Sequence, residues 1–141
     1  MACIEFTDIV RGNERQVEAL AEVAARHPDP EAPGACEAFS RQVRLVESVV
    51  VVTYIIAVEA TRKSADLREI AEVWKVMGLL CDKALGVVSS FKDRYPFCGT
   101  PELYDRLLDY KNACSTRFDR ANEELLCQTM PTPRGLFPAT I

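Results

Sequence analysis

Hydrophobic residues recur at alternating spacings of three and four along most of this 141-residue chain, a pattern typical of amphipathic helices. The pattern is clearest in the third segment, where one face carries Leu67, Ile70, Trp74, Met77, Cys81, Ala84, Val88, Phe91 and Tyr95. A fourth segment opens with Thr100 as the expected N-cap and Pro101 at the first helical position. Its apolar face consists of Leu103, Leu107, Tyr110, Cys114, Phe118, Ala121 and Leu125.

The first segment begins with Asn13 and Gln16, a capping-box pattern. Its apolar face is Val17, Leu20, Ala21 and Ala24.

Short connections separate the four segments. Residues 27–34 contain three prolines, and residues 62–66 and 96–100 are shorter still. Because short loops make successive helices antiparallel, we predict an all-α protein, an antiparallel up-down-up-down four-helix bundle. The expected helices lie at about 13–27, 36–63, 65–95 and 101–129.

The two ends of the chain interrupt this pattern. Residues 3–11 form an irregular N-terminal segment, either a separate helical turn or a continuation of the first helix, and Gly12 is its weak point. Residues 131–141 form an extended, Pro-rich C-terminal tail that cannot be helical. We therefore assign residues 1–130 to a single domain, of a length that buries a full core without crosslinks.

The second segment is apolar on every side between residues 49 and 58. A strand is the alternative interpretation, because Val and Ile are β-branched, but a lone strand would leave its backbone groups unpaired. As a helix, it turns a seam toward the bundle that consists of Phe39, Val43, Val46, Val50, Thr53 and Ala57. Val51, Ile55 and Val58 then point outward. The cover for this surplus face is the chain's own tail, through Leu136 and Phe137, an irregular first helix lying across it, or a protein partner, most commonly a second copy in a homodimer.

In the predicted antiparallel bundle, the six cysteines form three pairs. Antiparallel packing places the members of each pair at one height, giving Cys36 with Cys98, Cys81 with Cys114, and Cys3 with Cys127. Because a chain with a full-sized core and no recognisable secretion signal is expected in the reducing cytoplasm, we interpret the cysteines as free thiols. Three disulfides in a secreted effector are the alternative.

Composition excludes several kinds of chemistry. A net charge of −4 and a pI near 5.1 argue against nucleic-acid binding, and the apolar run is too short to span a membrane. The single histidine, His27, cannot supply a metal centre or a catalytic triad, and we expect no cofactor.

The sequence therefore predicts a non-enzymatic protein-interaction module, an adaptor, regulator or inhibitor that associates through the second helix. A carrier of a small apolar ligand or lipid is the alternative. It would need a cavity inside the bundle beside four small core residues, which are Thr53, Ala57, Cys81 and Ala84.

Overall fold

The computed structural model describes residues 3–96 and 98–129, without the side chains of residues 3, 4 and 129. Four helices make up this part of the chain: α1 (Cys3–Arg26), α2 (Ala35–Lys63), α3 (Leu67–Phe91) and α4 (Thr100–Thr129). Strands are absent from it, so the helical interpretation of residues 49–58 is confirmed. The tail, including Leu136 and Phe137, lies outside the described residues.

The predicted all-α bundle with alternating helix directions is confirmed. Lys83 of α3 binds Glu14 and Glu18 of α1, and farther along both helices Arg94 donates a hydrogen bond to the carbonyl of Ala24. The residue numbers rise together, so α1 and α3 are parallel, as expected for the first and third helices of an up-down-up-down bundle.

The four helices are not equally close to one another. The α3 and α4 helices pack along most of their lengths, and α1 packs against both α2 and α3. The α2 and α3 helices also touch across the centre of the bundle, whereas the described parts of α1 and α4 do not meet. The bundle is thus a flattened square whose short diagonal joins α2 to α3.

The predicted seams face the core. All six seam residues of α2 are buried, and Trp74, Met77, Cys81, Ala84 and Val88 of α3 are buried against them. In α4 the buried residues of the predicted face are Leu103, Leu107, Cys114 and Ala121. Burial of these apolar side chains is the main favourable term in the folding of the domain.

The prediction of an irregular N-terminal segment was wrong, because α1 runs through Gly12 without a break. Phe6 and Val10 are buried and extend the face of Val17 by about three turns. Asn13 lies between Val10 and Val17 in the same seam, where its side-chain amide donates a 2.6 Å hydrogen bond to the hydroxyl of Thr53. Asn13, the expected cap of the first helix, therefore lies in the middle of α1 and makes a polar contact with the core.

The α3 helix ends at Phe91, four residues earlier than predicted. Pro96 disfavours helical backbone at the preceding residue, and Tyr95 accordingly leaves the helix. Its ring stacks on Phe39 of α2 at 4.0 Å between centroids, and its hydroxyl donates to the carbonyl of His27. Tyr95 therefore ties the ends of three helices together.

Thr100 also departs from its expected role. Its buried hydroxyl donates a 2.9 Å hydrogen bond to the carbonyl of Tyr95 and does not cap α4. The preceding residue, Gly99, has a φ of 79°, in the left-handed region that glycine adopts without a steric penalty. This turn directs the chain back along α3.

Trp74→Ala should lower the free energy of unfolding by about 3 to 5 kcal/mol, because it leaves a cavity where the largest core side chain now lies only 2% exposed. Urea unfolding followed by circular dichroism measures the change. A loss below about 1 kcal/mol would mean that the centre of the bundle packs differently from the arrangement described.

Candidate functional site

The outer face of α2 is the most apolar exposed helix face of the described bundle. Leu45, Val52 and Ile55 are 42%, 53% and 55% exposed, and they lie along the side of the helix opposite its buried seam. Ser48 is exposed between them, and Val49 on the α1 side is half-buried. The stripe from Leu45 to Ile55 is about 15 Å long at 1.5 Å per residue.

Of the three residues predicted to point outward, only Ile55 is exposed. Val51 and Val58 are half-buried, and Val58 packs against the core. Leu45 and Val52 were missed as members of this face. The signal was present in the sequence, because both lie about half a turn away from the seam residue Val50.

Charged side chains flank the stripe at both ends. Arg41 and Arg44 are exposed near the N-terminus of α2, without an ion-pair partner in the described part of the chain. Near the C-terminus, Glu59 is exposed and binds Arg62 through both carboxylate oxygens, at 2.7 and 2.6 Å. The face therefore carries unpaired positive charge at its beginning, whereas its final turns hold Glu59 paired with Arg62 and, beyond them, the exposed Lys63.

The structure places Cys36 beside Cys98 at the end of the bundle that carries the first and third loops. The thiol of Cys98 is buried and lies within hydrogen-bonding reach of the half-buried Cys36. Burial, together with this hydrogen bond, raises the pKa of Cys98 to about 12. Cys98 therefore stays protonated, and poorly nucleophilic, at neutral pH.

Cys81 and Cys114 also lie side by side, at the interface of α3 and α4. Both are buried, and Cys81 donates a hydrogen bond to Cys114. That bond and burial raise the pKa of Cys81, while the same bond and the charge of Lys111 lower the pKa of Cys114. Burial nevertheless keeps both sulfur atoms away from external reagents.

The third thiol pair is not described by the structure. Cys127 is exposed near the end of α4, and the side chain of Cys3 lies outside the described residues.

A cleft of about 420 Å³ opens between α2 and α4, with α3 as its floor. Apolar side chains form its walls, and Trp74 lies at the bottom. Arg62, Arg117 and Arg120 line it together with Glu124. The sequence did not predict this cleft. Its three arginines come from two different helices, so no spacing pattern along the chain groups them.

The four small residues proposed to border an internal cavity are packed into the core. Thr53, Ala57, Cys81 and Ala84 are all fully buried, and the cleft is lined by other residues. The hydroxyl of Thr53 also has both of its hydrogen-bond partners, because it accepts from the amide of Asn13 and donates to the carbonyl of Val49. The structure therefore provides no binding space at these four positions.

Two further kinds of feature are absent from the described residues. Groups of three or more His, Cys, Asp and Glu side chains in a metal-binding arrangement do not occur there. Nor does any of the four helices have the combination of length and hydrophobicity required to cross a bilayer.

Iodoacetamide at pH 8 should alkylate Cys127 fastest and Cys36 more slowly in the folded protein, whereas Cys81, Cys98 and Cys114 should react only after unfolding. The reason is the exposure of Cys127, the partial burial of Cys36 and the near-complete burial of the other three. Peptide mass spectrometry of a time course distinguishes the sites. If the thiols stayed unmodified in denaturant without a reductant, the cysteines would be disulfide-bonded, as in the secreted alternative.

Comparisons with known proteins returned no family model, no curated protein and no solved structure that matches this chain.

Proposed function

We propose that this protein is an interaction module that forms a homodimer through the outer face of α2. The observation that carries the proposal is the exposed stripe of Leu45, Val52 and Ile55 on a helix that already packs against the three other helices. Exposed apolar side chains grouped on one face are typical of protein-interaction sites.

The order of residues along this face supports a second copy of the same chain as the partner. In a symmetric antiparallel contact centred on residue 50, each residue meets the one at the mirrored distance from the centre. The outermost line of α2 reads Arg41, Leu45, Ser48, Val52, Ile55 and Glu59.

Each mirrored pair on this line is complementary. Arg41 meets Glu59 of the other copy, and in this contact the carboxylate of Glu59 is shared between Arg41 and its own Arg62. Leu45 meets Ile55, which gives two apolar contacts. Ser48 meets Val52 near the centre, where a small side chain lets the helices approach closely. A face with random polarity would not match its own reverse at all three positions.

The size of the face sets the expected strength of the dimer. Covering a fully exposed aliphatic side chain contributes roughly 1.5 to 3 kcal/mol, and these side chains are about half exposed. Six of them in a dimer therefore contribute roughly 4 to 9 kcal/mol, against an association cost of about 4 kcal/mol or more. We expect a reversible dimer whose population depends on protein concentration.

A regulatory, adaptor or inhibitor role fits a weak and reversible dimer, because a competing partner can displace one copy from the same face. We place this activity in the cytoplasm, where reduced thiols persist. A catalytic role has less support, because the residues that line the cleft between α2 and α4 include no cysteine, serine or histidine.

Ile55→Lys should give a folded monomer at concentrations where the unmodified protein dimerises, because a charge would be buried at each end of the apolar contact. Sedimentation velocity over a concentration series, from about 1 to several hundred μM, measures the change. Leu79→Lys is the matched control, because Leu79 is 57% exposed on α3, away from this face. An unmodified protein that stays monomeric throughout the series would contradict the proposal.

Exchanging the charges tests the antiparallel register independently. Arg41→Glu and Glu59→Arg should each weaken the dimer, since each places like charges opposite one another, and the double variant should recover most of the affinity. Sedimentation equilibrium at low ionic strength gives the three dissociation constants. The register is wrong if the double variant is weaker than both single variants.

A further inference from the structure

The cleft between α2 and α4 combines an apolar interior with a cationic rim, and this arrangement is independent of the outer face of α2. Val58 contributes from α2, Leu67 and Ile70 from α3, and Ala121 from α4, while Trp74 lies at the base. Its volume of about 420 Å³ falls within the range of about 300 to 1,000 Å³ found for small-molecule sites.

Two of the three arginines at the rim are available to bind an anion. Arg62 is already held by the carboxylate of Glu59. Arg117 and Arg120 are exposed and have no ion pair within the described residues. Glu124 is the one carboxylate that lines the cleft, and it does not pair with Arg120 one turn away.

Arg117 is held in place by aromatic rings. Its guanidinium carbon lies 4.9 Å from the centre of the Trp74 ring and 5.9 Å from that of Tyr54. Stacking of this kind uses the faces of the guanidinium and leaves its N–H groups free to donate within its plane. The position is therefore preorganised to bind an oxyanion above an apolar floor.

We propose that this cleft binds an amphipathic anion, a small molecule with an apolar body and a single carboxylate or phosphate head. The apolar body lies against Ile70, Leu67 and Trp74, and the head group receives hydrogen bonds from Arg117 and Arg120. A planar guanidinium can bind either head group through two parallel hydrogen bonds.

Trp74 is the only tryptophan in the chain and lines this cleft, so a ligand bound here should change its fluorescence, and the arginine variants below separate this cleft from the second pocket that Trp74 borders. The unmodified protein is titrated with decanoate, decyl phosphate, decanol and inorganic phosphate. Decanoate or decyl phosphate should change the emission saturably and bind at least about tenfold more tightly than decanol or phosphate, because only they satisfy both parts of the site. The tighter of the two identifies the preferred head group. Calorimetry on the same samples measures the affinity without relying on the tryptophan.

The arginine variants test the assigned contacts. Arg117→Gln combined with Arg120→Gln should weaken decanoate or decyl phosphate binding at least about tenfold, since the variant removes every charge-assisted hydrogen bond assigned to the head group. Both side chains are exposed, so circular dichroism should be unchanged. Arg15→Gln is the control, because Arg15 is exposed on α1, which does not meet α4 in the described structure.

Three outcomes would overturn the proposal. Decanol that binds as tightly as the two anions would show that the arginines do not recognise the head group. Inorganic phosphate that binds as tightly would show that the apolar walls contribute nothing. An undiminished affinity in the double arginine variant would place the anion elsewhere. None of these results depends on whether the protein dimerises through α2.

Discussion

Contact between α2 and α3 across the short diagonal of the bundle is the constraint on which the rest of the structure depends. Aromatic rings make this contact at both ends of the bundle. Phe39 of α2 packs against Phe91, the last residue of α3, and against Tyr95 beyond it. Tyr54 packs against Trp74 near the start of α3. Because these rings bring α2 and α3 together, α1 and α4 lie on opposite sides and do not meet.

The two candidate surfaces both follow from this flattened arrangement. The α2 helix uses one side for α3 and its two flanks for α1 and α4, so none of the other described helices covers Leu45, Val52 and Ile55. Along the other flank of α2, Glu47 binds Arg106 of α4 and Tyr54 packs against Tyr110. The cleft opens beyond that point. One surface is therefore apolar with charged ends, and the other is a cationic cleft, so the two suit different partners.

Polar interactions fix the register of the helices more than they stabilise them. Lys83 binds two carboxylates of α1, which raise its pKa, and Lys111 binds Asp82 at 2.6 Å, but these pairs are largely solvent-accessible. Exposed ion pairs contribute little to stability, because water screens them and ordering two long side chains costs entropy. The Asn13 to Thr53 hydrogen bond is different, since Thr53 is fully buried and another register would leave its hydroxyl without this partner. It therefore discriminates against alternative packings of α1 on α2.

The sequence by itself determined the number of helices, their alternating directions and most buried positions, because apolar spacing reports which side of each helix avoids water. It also placed Cys36 near Cys98 and Cys81 near Cys114, since equal distances from a turn become equal heights in antiparallel helices. The spacing of apolar residues did not reveal the start of α1, because a half-buried polar residue, Asn13, interrupts the apolar face there. Only the tertiary structure decided which helices touch, because alternating directions are compatible with more than one arrangement around the square. The outer stripe of α2 and the arginine cleft depend on that choice, since a side chain is exposed or covered according to which helix lies beside it.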